Sequence, residues 1–328
     1  MRGSAGRTDA GGAAARRAAG RRPVAILLLA VMAAVIATAA AAWSGRATAA
    51  PGGGKIVAVG AESQYADVIG QVGGKYVQAS AIMSNPNTDP HTFEASIAVA
   101  REVGSARLVV QNGIGYDAFM NTIESAAPSS GRTVINVQRL LKLSDATPNP
   151  HLWYDPGTMP RVAGSVAAAL SVIQPSHKAY FEANAAAFND SLGKLTAAIA
   201  SFKAAYSGAP VATTEPVADY LLTSLGADNL TPWTFQADIM NGVDPSPQNV
   251  AVQRSLLSEH KVRVLLYNQQ VTDTLTESFI TLAEQNHIPV VGVYETMPGP
   301  GYDYQTWMQA EVRDLRAAVA DKIATEHL

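Results

Sequence analysis

The sequence predicts an α/β protein: two lobes with mostly parallel sheets flanked by helices, joined by one long rigid helix. Three observations predict it. Short apolar runs alternate with segments of helical spacing, the same rhythm occurs in both halves of the chain, and a long helical stretch lies between them. Short buried strands alternating with helices make a parallel sheet covered on both faces. A length of 328 residues suits roughly two domains, each with volume for a real core.

The elements follow in order. After the tether Pro51-Gly52-Gly53-Gly54, Lys55–Val59 reads as a first buried strand and Ser63–Val72 as a helix. Val77–Met83, Leu108–Gln111 and Thr133–Val137 read as strands, separated by helical stretches at Glu94–Val103 and Tyr116–Ala126; another helix begins near Gly157. In the second half Val211–Thr214, Val262–Tyr267 and Pro289–Tyr294 read as strands. Pro216–Leu225, Val250–His260, Thr272–Asn286 and Tyr304–Thr325 read as helices. Between the halves Ser176–Tyr206 contains no proline and only Gly193 as an internal breaker, with Pro175 and Ser207-Gly208 as its limits. At ~1.5 Å per residue such a helix runs ~45 Å, a length suited to spanning two lobes. The expected division is therefore a signal peptide at 1–50, an N-terminal α/β lobe at 51–175, a linking helix at 176–207 and a C-terminal α/β lobe at 208–328.

The first fifty residues stand apart. Arg2, Arg7, Arg16, Arg17, Arg21 and Arg22 face a single acid, Asp9, ahead of an uncharged apolar run from Val24 to Ala42 and the small stretch Ala47-Thr48-Ala49-Ala50. A basic region, an apolar region and an Ala-x-Ala site make a signal peptide, cleaved after Ala49 or Ala50. The competing reading is a retained membrane anchor, since the run approaches the ~20 residues that span a bilayer. Either reading exports the remainder to the periplasm or the outer face of the cell membrane. The leader holds seven Arg and one Asp, so the remainder has 17 basic and 26 acidic residues, a formal charge of −9.

Composition excludes several classes. The absence of cysteine removes disulfides, thiolate metal sites, cysteine nucleophiles and attachment through a lipidated Cys. With 16% charged residues and no long basic run, the chain lacks a phosphate-neutralising surface, so no nucleic-acid partner is expected. A hydrophobic content of 48% fits a folded chain rather than a disordered one. There is no HExxH, no GxSxG and no GxxxxGK segment.

Two histidines keep unusual company. His91 lies in Asn85-Pro86-Asn87-Thr88-Asp89-Pro90-His91-Thr92-Phe93-Glu94, just beyond the second strand. His151 lies in Asn149-Pro150-His151-Leu152-Trp153-Tyr154-Asp155-Pro156. Each follows a proline and precedes a helix start, the region beyond strand ends where open α/β sheets bind ligands. Imidazole is the commonest metal ligand, and the paired contexts raise metal ligation above the ordinary surface histidine. Glu215 and Glu295 are each the first residue past a strong apolar strand in the second half. Either could instead be an acid that complements a helix N-terminus. His177, His260, His287 and His327 lie in or beside helices among charged or turn residues and read as solvated. Trp153, Trp233 and Trp307 read as packing residues, with Trp153 close enough to His151 to keep water away.

At these residues the sequence resembles the zinc- and manganese-type substrate-binding proteins of bacterial metal ABC importers (cluster A-I). Asp89-Pro90-His91-x-Phe93-Glu94 and Asn149-Pro150-His151-x-Trp153-x-Asp155-Pro156 match that family's two histidine motifs. Thr213-Thr214-Glu215-Pro216 matches the third-ligand segment, where members carry His or Glu. Val293-Tyr294-Glu295-Thr296-Met297-Pro298 matches the fourth more loosely, where Asp or Glu is usual. The resemblance implies metal held in the cleft between the lobes by His91, His151, Glu215 and Glu295. It implies delivery to a membrane permease, with ATP hydrolysed by a separate subunit, and a monomeric, non-enzymatic receptor. Two departures stand out: no lipobox cysteine, and no His- and acid-rich loop between Glu94 and His151.

A closed shell of two imidazoles and two carboxylates suits capture, whereas catalysis needs an open position holding a water. Asp89, Glu94 and Asp155 either orient the imidazoles or serve as caps and turn acids. Zinc or manganese is the expected ion: the carboxylates and the missing His-rich loop favour manganese, the general affinity order favours zinc. The alternative from another class is a secreted metallohydrolase using His91, His151 and Glu215 with a metal-bound water. A third reading is a receptor for a chelate or small organic ligand, in which His91 and His151 are not ligands.

Overall fold

A computed structural model describes residues 54–87 and 90–328. The expected signal peptide at 1–50, and Thr88 and Asp89 in the first histidine segment, lie outside the described residues.

β1 (Ile56–Glu62) is buried along nearly its whole length, as a central parallel strand must be, and runs directly into α1 (Ser63–Gly73). Tyr65, Val68, Ile69 and Val72 of α1 join a core with Ile56, Ala58 and Leu108. β2 (Val77–Met83), α2 (Ile97–Ser105), β3 (Leu108–Gln111), α3 (Ala118–Ala126), β4 (Thr133–Asn136) and the single turn α4 (Val137–Leu140) follow. The strands are parallel in the order β2-β1-β3-β4, with Ile56 opposite Val77, Ala58 opposite Leu108 and Leu108 opposite Thr133.

The second half repeats the plan: β5 (Pro210–Thr213), β6 (Asp228–Asn229), β7 (Leu265–Asn268) and β8 (Val290–Val293), parallel in the order β6-β5-β7-β8. Each sheet reverses its direction of growth beside its first strand. That is the switch point where open α/β sheets place ligands. Capping chemistry sets several helix starts here. Asp273 forms a capping box with Thr276 ahead of a helix at Thr274–Gln285, and Asp303 does so with Thr306 ahead of one at Tyr304–Asp321. Two elements of this half have no counterpart in the sequence pattern. β6 is only two residues long and carries no apolar run, and a helix at Trp233–Met240 is introduced by Pro232.

The joining segment is helical as expected, with one irregular turn. A 3-10 turn at Pro175–His177 leads into helices Lys178–Ser191 and Gly193–Tyr206, with Leu192 between them. The cause is local: Ser191 Oγ donates to Phe188 O at 2.6 Å, taking the carbonyl that Leu192 N–H would normally use. Leu192 N donates instead to Asn189 O. A serine hydroxyl competing for a helical carbonyl is a known source of such irregularity.

One apolar core runs through both sheets, holding Ile56, Leu108, Val264, Leu266 and Val291 together with the fully buried Trp153, Tyr154, Tyr304 and Trp307. The start of the C-terminal helix is tied back to α1. Tyr304 N donates to Asp67 Oδ2 at 3.0 Å, and Gln305 pairs its amide with that of Gln71 at 2.9 Å. The C-terminal helix stops at Asp321 rather than Thr325, and the chain then returns to the free edge of β8. Gly292 N donates to Thr325 O and Thr325 N to Val290 O, both at 2.9 Å. This approach requires glycine, since a Cβ at position 292 would fall 1.9 Å from Glu326 O.

Candidate metal centre

The candidate residues gather at the carboxyl ends of the strands. His91 sits in a 3-10 turn (Pro90–Thr92) after β2, and His151 just ahead of another (Leu152–Tyr154) after β4. Glu215 follows β5, and Glu295 follows β8.

Glu295 Oε2 is the focus. His151 Nε2 lies 3.1 Å from it, His91 Nε2 3.3 Å, and Tyr116 Oη donates to it at 2.7 Å. One ligand atom from each of His91, His151 and Glu295 falls within 4.8 Å of the others. A tetrahedral shell with bonds of about 2.0–2.1 Å has edges of about 3.3 Å, so these separations fit ligands around one ion. Glu215 is buried nearby but is not part of this trio; Asn268 Nδ2 links it to the focus, donating to Glu215 Oε2 at 2.5 Å and to Glu295 Oε1 at 2.7 Å. His151 and Glu295 are wholly buried, while the His91 side chain is 22% exposed. His91 is thus the residue of the trio that solvent reaches.

The protonation pattern follows from the neighbours. Asn149 commits its Nδ2 to Pro216 O at 2.8 Å, so its Oδ1 faces His151, 2.8 Å from Nδ1 and 3.0 Å from the backbone N. An oxygen there requires a proton on Nδ1, and a neutral ring must present its Nε2 lone pair to Glu295. Burial pushes the His151 imidazole below its ordinary value, against the opposing pull of Glu295. Burial would raise Glu295, but hydrogen bonds from His151 and His91 prevail and hold its carboxyl well below the usual range. Without a proton on Nε2, the imidazole and the carboxylate would aim lone pairs at one another across a 3.1 Å gap. Only a proton or a cation between them relieves that arrangement.

Asp155 and Glu94 do not orient the imidazoles among the described contacts. Asp155 accepts from Gly157 N at 2.9 Å and is a turn acid, while Glu94 is exposed. Asn149 and Tyr116 orient the centre instead. Tyr116 follows a turn in which Gly113, Ile114 and Gly115 all have positive φ (87°, 54° and 78°), a conformation that no simple periodicity announces. Asn268 had a signal, since it is the last residue of β7 and the sequence reading ended that strand one residue early. Gln270 belongs with it: its Oε1 accepts from Glu295 N at 2.6 Å and Thr296 N at 2.9 Å. Trp153 packs edge-on against His151 with ring centroids 5.4 Å apart. His177 stacks on Tyr76, and His260 and His287 occupy positive-φ turn positions. Glu62, at the end of β1, is buried with neither oxygen hydrogen-bonded among the described residues. Burial, then the charge of Asp117, pushes it well above the carboxylate range.

The chain is similar to known proteins in sequence and in fold. The chain is 24% identical over 266 residues to the manganese ABC transporter substrate-binding lipoprotein PsaA of Streptococcus mitis, covering 75% of this chain and 82% of that protein. It is 27% identical over 136 residues to the manganese-binding lipoprotein MntA of Bacillus subtilis, a match spanning 40% of this chain and only 44% of that one. In fold it resembles the periplasmic zinc-binding protein TroA of Treponema pallidum, with a TM-score of 0.70, 18% identity, and coverage of 82% of this chain and 100% of that one. The family model described as zinc-uptake complex component A, periplasmic (ZnuA), matches residues 59–318. With most of its length matched in this way, the chain belongs to the ZnuA family of zinc-uptake complex components.

Proposed function

We propose that this chain is the exported substrate-binding component of a metal ABC importer. It captures one divalent transition metal, zinc or manganese, through His91, His151, Glu215 and Glu295, between lobes at 51–175 and 208–328 joined by the helical segment 176–207. It is a binding protein rather than an enzyme. As a monomer it hands the ion to a membrane permease whose ATPase is a separate subunit. With no cysteine in the chain, tethering through a lipidated Cys is not part of this reading.

One observation carries the proposal: two imidazoles from the first half of the chain converge on the buried Glu295 of the second. The family to which the chain belongs, named for zinc uptake, lends the hydrolase alternative no support. Relatives named as a manganese-binding lipoprotein and a zinc-binding protein support a transition metal as cargo. The test is metal titration by calorimetry on the demetallated protein, with His91→Ala and His151→Ala alongside. One ion per chain, lost in both variants, is expected. Unchanged binding in both variants, or turnover of generic esters or phosphates, would overturn the reading.

A further inference from the structure

Asn268 occupies the place where the two carboxylates meet. Its Nδ2 donates to Glu215 Oε2 and to Glu295 Oε1, at 2.5 and 2.7 Å. The orientation of the amide follows from its partners. Gln270 N–H can only donate and lies 3.0 Å from Oδ1, while the carboxylates can only accept and lie on Nδ2. The backbone is held as well, with Asn268 N donating to Thr214 Oγ1 at 3.1 Å. Asn268 is completely buried, so water does not compete for these bonds. A carboxylate that turned its amide-bound oxygen to an ion as well would have to share or give up this hydrogen bond.

We propose that Asn268 is a specificity-determining positioning residue, gripping one oxygen of Glu215 and one of Glu295 so that each ligates the cargo ion through a single oxygen. The inference rests on the metal-receptor reading and deepens it. Two imidazole nitrogens and two single oxygens make four donors, the tetrahedral set that zinc takes. Released from the amide, each carboxylate can chelate, and the count rises to two nitrogens and four oxygens. Manganese prefers such an oxygen-rich, higher-coordinate shell, and zinc gains little from it. Tyr116 donates to the other oxygen, Oε2, and steadies it where the two imidazoles face it. Gln270 completes the arrangement by fixing the backbone N–H groups of Glu295 and Thr296, so the carboxylate hangs from a rigid turn.

The test uses cobalt as a spectroscopic probe and a zinc–manganese competition titration. Cobalt absorbs strongly in the visible when four-coordinate and weakly when six-coordinate. The wild-type protein should give the strong spectrum. Asn268→Leu keeps the side chain's shape and removes its donors, and Asn268→Ala removes its bulk as well. Both should weaken the cobalt band and raise the manganese-to-zinc affinity ratio at least tenfold. A weak, six-coordinate spectrum from the wild type overturns the proposal whether or not the variants fold. So does an unchanged ratio and spectrum in either folded variant. His151→Ala is measured in parallel: if it binds metal as the wild type does, the receptor reading itself fails. If binding depends on His151 while the Asn268 variants behave as wild type, only the role of Asn268 fails.

Discussion

Glu311 offers a measurement of how strongly this interior penalises a charge. It lies buried on the C-terminal helix, where its Oε1 receives Trp307 Nε1 at 2.9 Å and Tyr154 Oη at 3.1 Å. Tyr154 Oη in turn donates to Tyr294 O at 2.8 Å, beside Glu295. Burial pushes the Glu311 carboxyl from 4.5 up to about 8, with the charge of Asp314 adding to the effect and the two hydrogen bonds opposing it. In the unfolded chain the group ionises near its ordinary value; in the folded chain it stays protonated until about pH 8. The unfolded state therefore binds fewer protons through this window, and stability falls as pH rises through it. At ~1.4 kcal/mol per unit, the loss accumulates to about 4–5 kcal/mol above pH 8, and to about 3 kcal/mol by pH 7. Glu311→Gln keeps the shape and the acceptor oxygen but never ionises. Urea unfolding of both proteins without metal, at unit steps from pH 5 to 9, isolates the term as a difference. The variant should match the parent near pH 5, gain on it by up to ~1.4 kcal/mol per unit to about pH 8, and then hold level. A difference that does not change with pH would refute the reasoning.

Other expectations concern the centre and the chain end. Zinc at a hundredfold excess over Kd should stabilise the fold by ~2.7 kcal/mol and raise Tm, an effect that His91→Ala and His151→Ala should largely remove. An undiminished rise in both would take these histidines out of the site. Asn149→Ala should lower metal affinity about 10–100-fold by freeing the His151 ring, and Asn149→Asp, which keeps the acceptor, should lose far less; equal losses would show the acceptor to be irrelevant. Gly292→Ala should cost about 1–3 kcal/mol and expose residues 323–328 to proteolysis, because the added Cβ meets the returning backbone; a parent-like Tm and digestion pattern would count against that contact.

Most of the architecture was legible because it rests on local pattern. A parallel strand buried on both faces has to be largely apolar, and Leu108–Gln111 read at its observed boundaries for that reason. Elements without such a run escaped, as with Asp228–Asn229, whose pairing with β5 depends on a neighbour rather than on its own residues. Ser191 altered the joining helix through a hydroxyl–carbonyl bond that periodicity does not register. The returning C-terminal segment depended on the free edge of β8, which exists only once the second sheet has formed.

The candidate centre divides along the same line. By itself the sequence determined the donor chemistry: which imidazoles follow a Pro-fixed turn beyond a strand, and which acids end an apolar run. Those are properties of short segments. Only the tertiary structure decided how the donors meet. It set Glu295 Oε2 at the focus of both imidazoles and left Glu215 joined to it through an amide. It also gave the orienting work to Asn149, Tyr116 and Asn268 rather than to the nearby acids Asp155 and Glu94. The reason is physical: a ligand's identity is covalent and local. Its denticity, tautomer and protonation are set by whatever the fold packs within hydrogen-bond reach, across as many as 179 residues of sequence in the case of Tyr116 and Glu295.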